Sequence, residues 1–220
     1  MWSSEVTNMI ITGIWETLYM TLVSTLVGYV IGLPLGVTLA VTGKGGIREN
    51  KVVYRILDVI SNVIRSIPFL ILLILIIPLT RFLVGKSYGS SATIVPLVIA
   101  AAPFIARMVE SSLQEVDEGV IEAAKSMGAG TWTIIFRVLL VEARTSLIVG
   151  VTIALGTILG YSAMAGVVGG GGLGDIAIRY GYYRYQTDIM VVTIVILVLI
   201  VQVLQALGMM LSKKLDRRNK

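Results

Sequence analysis

The two side chains that most often carry enzymatic chemistry are missing. The sequence has no histidine and no cysteine, which removes imidazole acid–base catalysis, thiolate nucleophiles, disulfides and His- or Cys-ligated metal. Among the remaining charges, Arg65 stands out. It follows Asp58 by seven residues and precedes Pro68 in a largely apolar stretch. Three readings are open: the side chain snorkels to the interface, it pairs structurally with a helix end or Glu110, or it takes a direct part in gating, since charge within a span is usually paired and often functional. Arg107 and Glu110 are three residues apart and share a helix face, which is most simply a structural pair. Tyr161, Ser162, Ala163 and Met164 form a small, slightly polar patch with one adaptable thioether; it is a candidate gate or substrate contact, or ordinary bundle packing. Gly169–Gly172 falls on the outer side of the membrane and has no strand before it, so a nucleotide cradle fails. A flexible outer loop that closes or docks, or a plain turn, is expected instead. Arg179, Arg184 and the tyrosines at 180, 182, 183 and 185 follow. They serve either as an interfacial aromatic belt or as a contact surface for an acidic partner. No catalytic residue and no metal ligand set is expected.

The elements that must position these residues are membrane spans. Apolar residues make up 56% and charged residues 14% of the 220, against roughly 25% charged in soluble domains, and the mean hydropathy is +0.90. One small core cannot hide that much apolar surface, so a soluble enzyme, a soluble binding module, a disordered chain and a collagen are excluded. A span needs about 20 mostly apolar residues. Five stretches qualify: about 17–41, 59–80, 89–110, 146–167 and 189–211. The whole chain, 1–220, reads as one all-α transmembrane domain. The first span is too long, and lacks a basic lead, for a cleaved signal peptide.

Charge sorts the connections onto two sides. One side has Lys44, Arg48, Lys51 and Arg55, then Arg107, Lys125, Arg137 and Arg144, then a tail with Lys213, Lys214, Arg217, Arg218 and Lys220. The other has Arg81, Lys86, Arg179 and Arg184. The positive-inside rule puts the N-terminus outside and the C-terminus in the cytoplasm, as an odd number of spans requires. This placement also accounts for the net charge of +5 better than nucleic-acid binding does. Gly28 and Gly32 offer a face for close helix packing. Pro34, Pro68, Pro96 and Pro103 predict broken helices of the kind that line a transport pathway.

The most informative segment is a cytoplasmic insert at about 115–140. Gly119–Met127 reads as a short helix, with Asp117 and Glu118 near its N-terminus and Gly128 as its stop. Thr131 is expected to cap a second helix carrying Trp132, Ile135, Phe136 and Leu139. The insert is too small for an active site. It suits contact with a moving partner, or rest on the lipid surface as an amphipathic helix.

Glu122-Ala123-Ala124, three residues, Gly128, nine residues, Val138 and Leu140 resemble the cytoplasmic signature of ABC importer membrane subunits. Val138 stands where the family has Ile, and Val141 where it has Pro. More of the chain resembles one branch, the methionine importer permeases. The matching blocks include Gly13–Leu18, Arg65–Phe69, Ala101–Glu110, Gly160–Gly166, Gly169–Gly174 and Tyr180–Tyr182. The resemblance implies a type I importer fold in a prokaryotic inner membrane and a second copy of the chain. It also implies two ATP-binding cassette subunits that hold ATP and Mg2+, and a substrate-binding lipoprotein delivering methionine, or in some members D-methionine and related derivatives. The chain itself would bind no cofactor, and lipid would surround it. The resemblance places the ATPase contact on Glu122, Ala123, Ala124, Met127, Gly128 and Ala129. The pathway or gate candidates are Arg65, Pro68, Tyr161, Ser162 and Met164. The outer candidates for lipoprotein contact are Gly170, Gly171, Gly172, Arg179 and Tyr182. Rival readings are a permease for another amino acid or an osmolyte, and a non-transporting scaffold that binds a partner through the insert. A secondary transporter fits less well, because no acidic residue sits deep in a span.

Overall fold

The long uncharged run after residue 17 lies within one helix, α1 (Ser4–Thr42), in a computed structural model that describes residues 4–215. The tail residues Arg217, Arg218 and Lys220 lie outside the described residues. At 1.5 Å per residue α1 is about 58 Å long, nearly twice the ~30 Å hydrocarbon layer. Three further apolar helices are long enough to cross a membrane. They are α5 (Ser90–Gln114), α9 (Arg144–Ala165) and α11 (Thr187–Leu215).

The stretch expected as the second span is built differently. It comprises α2 (Lys51–Ser66), α3 (Phe69–Leu75) and α4 (Ile77–Val84), and α2 and α3 meet at 101°. Proline disfavours the helical region for the residue before it, and Ile67 is extended, with φ −79° and ψ 123°. Pro68 then opens α3 without needing a donor. Pro78 likewise stands in the first turn of α4, after the helix is interrupted at Ile76, whereas α1 runs through Pro34 and α5 through Pro96 and Pro103. The expectation of repeated broken helices therefore holds in the second span, at Pro68 and Pro78, and not in α1 or α5. Packing explains the straightness of α5. Its middle, Ala101–Val109, lies along a glycine face of α1. A Cβ on Gly32 would sit 2.7 Å from the Ala102 carbonyl and 2.8 Å from Ile105, and one on Gly36 would meet the Ala106 carbonyl and Val109. The close-packing face thus extends one turn beyond Gly28 and Gly32, and it fixes α1 on α5 backbone to backbone.

The core runs through Met20, Leu97, Ile105, Val109, Ile134 and Ile158. A smaller cluster, Ile10, Leu173, Ile176 and Ile189, ties the first turns of α1 to the start of α11. Of the described residues of α11, only Ile189, Thr193 and Ser212 are buried, and α2 buries only Ser61. Both present wide apolar faces to whatever surrounds the single chain.

The connections that carry the candidate residues are short. The insert comprises α6 (Glu118–Ser126), α7 (Thr131–Thr133), a π-helical turn at Ile134–Leu139 and α8 (Leu140–Glu142). The chain stays helical at Val141 and turns two residues later, at Ala143. At the far end of α9, a glycine turn leads into α10 (Gly172–Ile176) and a second π-helical turn, Ala177–Tyr182.

Candidate functional site

The insert helix α6 is specified by its neighbours in sequence. Asp117 caps it by accepting from the Gly119 amide at 2.8 Å, which satisfies one of the free N-terminal donors. At the other end, the Gly128 amide donates to the Lys125 carbonyl at 2.9 Å and the Ala129 amide to the Ala124 carbonyl at 3.0 Å. This is the paired-bond stop that requires a left-handed residue, and Gly128 has φ +80°. Thr131 begins the return segment, but Gly130 holds the capping position and supplies no side chain.

The expected contact residues divide into two groups. Ala124 is buried and Ala129 half-buried, both against the main core. Glu122, Ala123, Met127 and Gly128 are exposed, and Met127 is 82% accessible. Ala124 and Ala129 therefore hold α6 to the bundle, while the other four form its outward face. Nothing stands within 4 Å of a Cβ built on Gly128, so the chain itself does not crowd this position.

The glycine turn at the opposite end of α9 is closed by distant residues. Glu16 on α1 accepts from the Gly172 amide at 2.7 Å, and the Thr17 hydroxyl accepts from the Leu173 amide at 2.9 Å. Thr93 on α5 donates to the Gly170 carbonyl at 3.1 Å, and Gly89 to that of Gly169 at 2.9 Å. Gly170 and Gly172 are buried and Gly171 half-buried. The turn is thus a hydrogen-bonded junction of three helices, closer to the plain turn than to the flexible loop of the two readings the glycine run left open. Its glycines serve close approach: Gly172 has φ +76°, and a Cβ there would lie 2.7 Å from the Thr17 hydroxyl. Glu16 and Thr93 were missed in the sequence. The available signal was that Glu16 is the only carboxylate between Glu5 and Glu49, and such a charge at a span edge needs a partner.

Beyond the turn, Arg179 is paired with Asp175 one helical turn earlier. Arg184 stacks over the Tyr180 ring at 4.6 Å. Tyr182 is exposed and lies against Tyr183, with ring centroids 5.3 Å apart.

Arg65 and Pro68 are exposed at the bend between α2 and α3, and Arg65 has no ion-pair partner among the described residues. Glu110 does not receive it. Arg107 takes Glu110 at 2.6 Å and also binds Asp58 on α2, with Asn62 at 3.2 Å. The expected local pair is therefore part of a bridge from α5 to α2. The signal overlooked was Asp58 and Asn62, four apart on one face of α2. Phe69, just past Pro68, stacks on Tyr161 with centroids 4.5 Å apart, so the bend and the patch on α9 are brought together. Ser162 is buried and donates to its own helix at the Leu159 carbonyl, 2.7 Å, whereas Met164 is exposed.

A helical bundle with a bent second span and a capped helix on one end is the architecture of an importer permease. Residues 32–220 match the family of binding-protein-dependent transport system inner membrane components, and the chain belongs to that family. It is a multi-pass inner-membrane permease of the type I ABC fold. Among its relatives, the probable D-methionine transport system permease protein MetI of Vibrio cholerae is 49% identical over 99% of this chain and 96% of its own length. The methionine import system permease protein MetP of Bacillus subtilis is 49% identical over 99% of this chain and 100% of its own. A chain from a solved structure of the MetNI methionine ABC transporter in inward-facing conformations is 48% identical. It covers 98% of this chain and 100% of its own, with a TM-score of 0.96.

Proposed function

We propose that this chain is the membrane subunit of an ATP-driven methionine importer, accepting D-methionine and related derivatives as well. The observation that carries this reading is likeness along nearly the whole chain to permeases whose names state methionine transport. Two copies form the pathway, which is consistent with the broad apolar faces left open on α2 and α11. The N-terminus is outside and the insert and C-terminus are cytoplasmic. Two ATP-binding cassette subunits dock on the outward face of α6, at Glu122, Ala123, Met127 and Gly128, while Ala124 and Ala129 pass the motion into the bundle. ATP and Mg2+ belong to those partners. A periplasmic or extracellular lipoprotein delivers substrate to the side of the glycine turn, with Tyr182 and Arg179 on its contact surface. Arg65, Pro68, Tyr161, Ser162 and Met164 belong to the pathway or its gate.

The mechanism follows from the two ends. Closure of the ATPases moves two short capped helices whose buried alanines are continuous with the core, and the bundle has two arrangements whose populations respond to ligand and partner. The test is uptake by the reconstituted complex from a panel of labelled amino acids. ATP-dependent uptake of methionine, competed by D-methionine, is expected. Transport of a different amino acid in place of methionine would overturn the substrate.

A further inference from the structure

Between the cytoplasmic end of α1 and the segment returning from the insert lies an open groove of about 420 Å³, within the ~300–1,000 Å³ range of small-ligand sites. Val37 and Val41 line one wall, Ile135 and Phe136 the other, and Trp132 and Arg48 also border it. No carboxylate lines it. The hydroxyls of Thr38 and Thr42 donate back to their own helix at 2.8 and 2.7 Å, so they place no unmet demand on the groove.

Arg48 is held at this end by the backbone. Its amide donates to the Val41 carbonyl at 3.0 Å, and that of Asn50 to the Thr42 carbonyl at 2.9 Å. These bonds fold the loop back on the last turn of α1. The Arg48 side chain is exposed and has no ion pair among the described residues; the neighbouring Glu49 faces Lys51 at 3.9 Å. Trp132 is 72% accessible although its ring stacks with that of Phe136, centroids 5.9 Å apart.

An apolar trough along a membrane span, with a free guanidinium beyond the span's end and an exposed tryptophan beside it, matches one kind of molecule. A phospholipid has acyl chains for the trough and a phosphate for the guanidinium, which recognises phosphate through its planar fork. Basic pockets between helices on the cytoplasmic side hold anionic headgroups, and tryptophan favours that depth. We propose that the groove binds an anionic phospholipid of the cytoplasmic leaflet, one acyl chain against Val37, Val41 and Ile135 and the headgroup phosphate on Arg48. A lipid seated there braces the return segment of the insert against α1. The choice of leaflet rests on the orientation proposed above; the groove and its chemistry do not.

The chain has three tryptophans, so Trp2→Phe with Trp15→Phe leaves Trp132 as the sole reporter. The full-length chain is reconstituted in phosphatidylethanolamine vesicles holding an equal small fraction of either brominated phosphatidylglycerol or brominated phosphatidylcholine. Bromine quenches tryptophan on contact. Stronger quenching by the anionic lipid is expected, with an occupancy ratio of about fivefold for one basic residue near the surface. Arg48→Gln should bring the ratio to about one, with binding of the cassette ATPase showing that the variant still folds. Val37→Phe, which fills the trough, should lower quenching by both lipids. Equal quenching by both lipids in the wild-type background would mean bulk lipid only, and no quenching by either would mean that protein covers the groove. Either result, or a ratio that Arg48→Gln leaves unchanged, overturns the proposal. Both leaflets carry the brominated lipid and no substrate is used, so failure here is distinct from failure of the orientation or of the methionine assignment.

Discussion

The insert and the glycine turn lie at opposite ends of α9, and each depends on glycines with positive φ. In the insert, the residues that satisfy α6 are its own neighbours: Asp117 at one end, Lys125 and Ala124 at the other. The space beside Gly128 is empty. In the glycine turn the partners are about 156 residues away for Gly172 and Leu173 and 77 away for Gly170, and a side chain on Gly172 would collide with α1. A local stop leaves an outward surface free for a partner. A stop closed by tertiary contacts locks three helices together. The difference teaches that a glycine's backbone angle alone does not reveal its role; what stands beside it does.

The largest expected effect tests whether the two regions face opposite compartments. The chain has no cysteine, so single ones can be introduced at Ser4, on the glycine-turn end of α1, and at Ser126 on the insert; both are exposed. An impermeant thiol reagent applied to intact cells should label the first and not the second. Reversed labelling would overturn the orientation outright.

Next comes the cost of a side chain in each turn. Gly172→Ala adds left-handed strain of about 1–2 kcal/mol and crowding of about 1–3 kcal/mol against Thr17 and Met20. It should lower the yield and melting temperature of the permease. Glu16→Ala should act in the same direction by leaving the Gly172 amide without its acceptor, about 1–3 kcal/mol. A Gly172→Ala variant as stable as wild type would show that the turn is loose after all.

The Cβ that Gly128→Val adds has nothing within 4 Å beyond its chain neighbours, so the strain of about 1–2 kcal/mol is the main cost, and the spans should remain inserted. Its effect should fall on ATPase retention and on uptake per ATP hydrolysed in liposomes. Glu122→Lys, which reverses charge on the same face, should act similarly. Normal values of both quantities in both variants would remove α6 as the coupling element.

The smallest effect is expected between the two regions. Arg65→Lys should leave assembly unchanged, because no carboxylate among the described residues holds that guanidinium; an uptake loss would then report a role in the pathway. Arg107→Lys should weaken assembly more, since an ammonium cannot span Asp58 and Glu110 as the planar fork does. Equal assembly of the two variants would show that the α5–α2 bridge contributes nothing.

Much was legible in the sequence because its causes are local. Apolar runs longer than the bilayer is thick can only be spans, and α1, α5, α9 and α11 follow directly from them. Asp117 and Gly128 bracket α6 from eleven residues apart, so its ends could be read to within one residue. Tertiary structure alone decided the rest. Proline marks a break in the second span at residues 68 and 78 but leaves the helix continuous at 34, 96 and 103. Around Pro103 a glycine face of α1 lies backbone to backbone on α5, whereas nothing comparable lies at the bend after Ile67. Glu110 belongs to Arg107, which Asp58 also binds, rather than to Arg65, because partnership between helices depends on which faces meet, and composition carries no record of that. The glycine run became a rigid junction because Glu16, Thr17 and Thr93 arrive there from two other helices, and a hydrogen bond spanning some 156 residues leaves no periodicity or spacing in the chain from which it could be read.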